Sequence, residues 1–154
     1  MKTLLILISF LFLPNSNAMH KDTLLQIDKN GNIIGLPKEF SPAKFDLTKK
    51  TLRIKDKEII FPECVSNYFE QHQNPQITLL ASWYHSKKIM PYYLTFDISD
   101  ISVNYGYKIF VDLETLELIY MNKTIREGNR IHIPRIELKK ECLTEYNNRI
   151  KTLN

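Results

Sequence analysis

The chain has 154 residues, 44% hydrophobic and 25% charged, with a formal net charge of +4. That length suits one domain, and that balance excludes a largely disordered chain. The basic excess is mild and comes in pairs (Lys49-Lys50, Lys87-Lys88, Lys139-Lys140), which describes a solvated surface and argues against nucleic acid as a partner.

Residues 1–18 read as a secretory signal peptide, and residues 19–154 as a single exported α+β domain, periplasmic or secreted. Lys2 supplies the positive start, Leu4 to Leu13 an apolar run, and Ser16-Asn17-Ala18 a small-residue cleavage site. An uncleaved N-terminal anchor is the competing reading. No later stretch reaches 18 apolar residues, so no stable membrane anchor is expected after cleavage.

Leu24 to Ile27 and Ile33 to Gly35 flank Asp28-Lys29-Asn30-Gly31-Asn32, which predicts a hairpin. The Asp28, Asn30, Asn32 spacing imitates the start of a calcium loop, but Ile33 stands where that loop needs Gly for its bend. Pro37 and Pro42 predict an irregular crossing from Leu36 to Ala43. Short antiparallel strands follow at Lys44–Asp46, Thr51–Ile54 and Ile59–Phe61. Pro62 opens a helix as its first residue, with Val65, Tyr68, Phe69 and His72 on one face.

Four longer strands come next, over Gln76–Tyr84, Tyr92–Ile98, Val103–Val111 and Leu116–Ile125. In the last, strict alternation sets Leu116, Leu118, Tyr120 and Asn122 against Glu117, Ile119, Met121 and Lys123. Arg130 to Ile133 is a short strand ended by Pro134. Cys142, Leu143, Tyr146, Ile150 and Leu153 at helical spacing predict a closing helix over roughly Glu137–Lys151. The expected fold is a mainly antiparallel β-meander with one helix before the main strands and a C-terminal helix packed on it.

The candidate sites are few. Cys64 and Cys142 form an even count in an exported chain, which favours a disulfide closing a loop of about 80 residues, worth up to ~4 kcal/mol; two buried free thiols are the competing reading. Cys64 in the first turn of a helix could instead be a nucleophile with His85 or His132 as base. That placement resembles papain-like cell-wall peptidases, although no small-residue run follows Cys64 and no Gly-His pair opens a strand. None of the four histidines pairs at metal-ligand spacing, so neither a metal nor a cofactor is expected.

Asp28, Asp46, Asp97 and Asp112 each follow an apolar residue at a predicted strand end, where Asp caps turns. Asp97 and Asp100 could alternatively form an acid–base pair. Asn122-Lys123-Thr124 spells a glycosylation sequon. The aromatic set Trp83, Tyr84, Tyr92, Tyr93, Tyr105, Tyr107 and Tyr120 is the most unusual feature, because alternation puts about half of these rings on the outer face of the sheet. The leading expectation is a non-enzymatic protein-binding module, such as an inhibitor or an immunity-type protein, with a protein partner. A Cys64-based hydrolase and a small-ligand-binding protein are the alternatives.

Overall fold

The computed structural model describes residues 20–71, 76–84, 92–99 and 102–153; the side chains of residues 20–22 and 82–84 are not described. The chain is α+β. Its strands are β1 (His20–Leu24), β2 (Gln26–Ile27), β3 (Ile33–Ile34), β4 (Ala43–Asp46), β5 (Thr51–Ile54) and β6 (Lys57–Ile60), followed by helix α1 (Glu63–Glu70). Then come β7 (Gln76–Tyr84), β8 (Tyr93–Ser99), β9 (Tyr105–Asp112), β10 (Leu118–Glu127), β11 (Arg130–His132), β12 (Arg135–Ile136), helix α2 (Lys140–Asn148) and β13 (Ile150–Thr152).

The strands form a main sheet in the order β1-β7-β8-β9-β10-β11, a four-stranded sheet β13-β6-β5-β4 and the ribbon β2-β3. In the main sheet β12 also pairs with β10, and every pairing in all three sheets is antiparallel.

The core fills the space between one face of the main sheet, the second sheet and the two helices. Leu79, Ala81, Leu94, Phe96, Ile98, Ile109, Val111 and Met121 from the main sheet meet Phe45, Leu52, Ile54 and Ile59 from the second sheet. Val65 and Phe69 come from α1, Cys142 and Tyr146 from α2. Phe96 holds the layers together: its ring lies 5.0 Å from Phe45, 5.6 Å from Phe61 and 5.6 Å from Phe69. Such edge and tilted contacts add about 0.5–1.5 kcal/mol per pair to the area they bury.

Local chemistry explains the turns. Gly31 has φ +83°, and its carbonyl accepts the Phe45 N–H at 2.8 Å. A Cβ there would come within 2.6 Å of the Phe45 carbonyl oxygen, so only glycine lets the hairpin dock on β4. Asp46 caps its turn through the Lys49 N–H, and Asp112 caps the next through the N–H groups of Glu114 and Thr115. Leu116 is fully buried at φ +63°, and its carbonyl accepts the Tyr146 hydroxyl at 2.9 Å. The buried phenol of α2 thus supports a turn that a branched side chain would rarely adopt.

Several expectations need correction. Pro62 is the N-cap of α1, its carbonyl accepting from Val65 and Ser66, and is not the first helical residue. The Leu36–Ala43 crossing contains a 3-10 turn, Lys38–Phe40, that buries Phe40. Residues before the first ribbon form β1, an edge strand of the main sheet paired to β7. Strict alternation fails in β10, because Leu118 pairs with Val111 while Tyr120 pairs with Phe110. Ile119 is the extra residue of a bulge, which turns Tyr120 and Asn122 outward and puts Met121 in the core.

β11 ends at His132, ahead of Pro134, as expected, but a further strand follows Pro134. The Pro134 carbonyl accepts the Lys123 N–H at 3.0 Å, and β12 then resumes pairing with β10. The closing helix stops at Asn148, and Ile150–Thr152 pairs with β6 as a strand. Apolar spacing could not separate these outcomes, since an extended tail beside a sheet also buries Ile150.

Candidate functional site

Residues directly opposite in paired strands share a face, so register gives the outer face of the main sheet row by row. Thr95, Phe110 and Tyr120 form one row across β8, β9 and β10. Asp97, Lys108 and Asn122 form the next, extended by Arg135 of β12. Then come Ser99, Gly106 and Thr124, and finally Arg126 with Ile131 of β11.

The first row is aromatic. Phe110 stacks on Tyr120 at 4.1 Å with 24° between planes, and Tyr93 lies 5.7 Å from Phe110. The Arg135 guanidinium sits 5.7 Å from the Tyr120 centroid, a cation–π distance. Phe110 is buried yet stands outside the main core cluster. The outer face therefore carries its own small aromatic cluster, with Tyr93 and Tyr120 half-buried at its rim.

The polar rows lie beside it. Lys108 Nζ and Asp97 Oδ2 are 3.1 Å apart and both side chains are about a third exposed, so the pair adds at most about 1 kcal/mol. Asp97 belongs to the middle of this face and does not cap a turn, which corrects the capping expectation. Asp100 lies outside the described residues. The small-residue row opens a cavity of about 300 Å³, lined by Ser99, Gly106, Lys108, Thr124, Arg126 and Ile133 among others. Gly106 is required there, since a Cβ would come within 2.7 Å of the Ile98 carbonyl oxygen.

The predicted aromatic set does not form one surface. Tyr93 and Tyr120 are on the outer face. Tyr92 packs edge-on against Phe40 at 5.2 Å, at the rim of the core. Tyr105 and Tyr107 face the core side, where Tyr107 meets Tyr68 at 4.9 Å and donates its hydroxyl to Gln71 Oε1. Burial, with the neighbouring Tyr105 and Tyr68, raises the Tyr107 pKa above its usual value. Lys123 Nζ lies 4.6 Å from the Tyr105 centroid. Trp83 and Tyr84 pair through their backbones with Lys21 and His20.

Cys64 and Cys142 are joined by a disulfide between the first turn of α1 and α2, spanning 78 residues. In this form Cys64 has no thiolate with which to attack. His85 and His72 lie outside the described residues. His132 is exposed on β11, with Nε2 3.7 Å from Glu127 Oε2. The Asp28 carboxylate is occupied by the backbone N–H groups of Asn30 and Asn32 and by Asn32 Nδ2. The Asn32 side chain foremost, then its backbone N–H, holds the Asp28 pKa below the usual value. No cluster of three potential metal ligands occurs among the described residues. Asn122 of the sequon is half-buried in mid-strand, paired with Lys108 and Arg135.

Phe110, Lys108, Arg126 and Arg135 were not singled out by the sequence. Alternation along β9 puts Phe110 and Lys108 together, but assigning that side to solvent needs the cross-strand register. No protein-family model, curated protein or solved structure matches the chain.

Proposed function

We propose that the chain is an exported, non-enzymatic protein-binding module, of the inhibitor or immunity type, that engages its partner through the outer face of the main sheet. The observation that carries this reading is the Tyr93–Phe110–Tyr120–Arg135 group, an aromatic cluster outside the core with a cation over its rim. Tyr and Arg dominate interface energetics because each offers a large, partly rigid contact area with a polar end. Antiparallel sheets commonly keep one face free of the core, which leaves that face available to a partner.

Export is supported by the signal-like start of the sequence and by the disulfide, a bond that persists in oxidising compartments. No helix among the described residues is long and apolar enough to cross a membrane.

The test is site-specific photocrosslinking in the native host. A photoreactive phenylalanine at position 120 gives one defined protein adduct, whereas the same group at exposed Ile60 of the second sheet gives none. Equal labelling at both positions, or no adduct at either, would contradict the proposal.

A further inference from the structure

Beside the aromatic row the outer face holds a concavity. It lies between the Ser99–Gly106–Thr124 row and the β10–β11 arm. Its charge is asymmetric: Lys108 is paired with Asp97, while Arg126 makes no ion pair among the described residues. Among the described lining residues, one net positive charge therefore faces the cavity. On the arm, Ile131 and Ile133 are 62% and 57% exposed, large apolar side chains held beside that charge.

The floor adds hydrogen-bonding capacity. Thr124 is half-buried, but its Oγ1 is fully buried and has no hydrogen-bond partner. A χ1 rotation at this lining residue would turn that hydroxyl toward the cavity. The Ser99 hydroxyl lies in the same row and is exposed. Gly106 between them keeps the floor low. The site thus pairs donors and a cation with an apolar wall.

We infer that this cavity binds a carboxylate carried beside an apolar side chain, namely the C-terminal residue of a partner polypeptide. Arg126 takes the carboxylate, Lys108 stays with Asp97 beside it, and Ile131 and Ile133 take the side chain. A volume of about 300 Å³ is at the small end for ligand sites and suits one residue. The cavity opens on the same face as Tyr120 and Arg135, so the preceding residues of the peptide run across the aromatic row. This choice of a polypeptide source rests on the outer-face reading above, while the carboxylate chemistry rests on the cavity alone.

The experiment is a titration of the full chain, followed by the amide NMR signals of Gly106 and Thr124. The probes are an N-acetylated tetrapeptide ending in leucine, the same peptide as its C-terminal carboxamide, and N-acetyl-leucine. The free acid binds about tenfold or more tightly than the carboxamide, as expected for a charge-assisted contact. Arg126→Gln removes that difference with an unchanged circular-dichroism spectrum, and Ile133→Ser weakens the acid and the carboxamide alike. Equal affinity of acid and carboxamide, or shifts centred away from Gly106 and Thr124, overturns the site. N-acetyl-leucine binding as tightly as the tetrapeptide overturns the polypeptide source. Acid binding that persists while position 120 yields no crosslink sinks the outer-face reading and leaves the carboxylate site standing.

Discussion

The two faces of the main sheet surround their central phenylalanines differently. On the inner face Phe96 meets Phe45, Phe61 and Phe69, rings with no polar atom to satisfy. On the outer face Phe110 lies between Tyr93 and Tyr120, whose rings end in hydroxyls, with Arg135 over one of them. A hydroxyl buried without a partner costs about 1–3 kcal/mol, so tyrosine goes inside only where a partner waits. Tyr146 shows this: it is fully buried and donates to the Leu116 carbonyl. The inner rings are locked into the core, whereas the outer face keeps its tyrosines half-buried at a rim.

The sharpest way to break the comparison is to truncate one ring on each side. Phe96→Ala costs about 3–5 kcal/mol in chemical denaturation, because three aromatic neighbours cannot collapse around the void. Phe110→Ala costs clearly less in the same measurement, since among the described residues its ring contacts are with Tyr93 and Tyr120 at the rim. Equal costs would mean that the outer cluster is a second core.

Replacing Cys64 and Cys142 together by serine has the next largest effect. It frees a 78-residue loop and lowers stability by about 2–4 kcal/mol, read as a lower denaturant midpoint. Tyr146→Phe costs about 1–2 kcal/mol by leaving the Leu116 carbonyl unpaired. Burial foremost, then the Glu117 carboxylate, raises the Tyr146 pKa well above 10.0. The folded chain therefore keeps this proton where the unfolded chain loses it. Stability is full below about pH 10 and falls as pH rises further, and Tyr146→Phe flattens that alkaline loss.

The smallest stability effect belongs to Tyr120→Ala. Its rim position makes the cost about 1 kcal/mol in denaturation, while affinity for the partner identified by crosslinking falls about tenfold or more. A large stability loss with binding intact would reverse the assignment of the two faces.

Much of this division was legible in the sequence. Alternation in Gln76–Tyr84 puts Ile77, Leu79, Ala81 and Trp83 on one side of the strand; Leu79 and Ala81 are buried, Ile77 is half-buried against the core, and the Trp83 side chain lies outside the described residues. Helical spacing marked Val65 and Phe69, and the cysteine pair anticipated the disulfide. What could not be read depended on partners distant in the chain. The Ile119 bulge exists only relative to β9, and without it Tyr120 shares a side with Leu118. The strand at Ile150–Thr152 exists because β6 offers it an edge. Arg135 reaches Tyr120 only because the chain resumes pairing after Pro134. For the same reason the sequence grouped Tyr105 and Tyr107 with Tyr93, although the sheet sends them to opposite faces.

Photocrosslinking from position 120 asks whether the outer face is the partner-binding surface. The expected result is a single defined adduct from position 120, none from position 60 on the second sheet, and loss of the position-120 adduct when Tyr93 and Arg135 are replaced by alanine. Adducts of equal yield from positions 120 and 60, or an adduct indifferent to Tyr93 and Arg135, would contradict it.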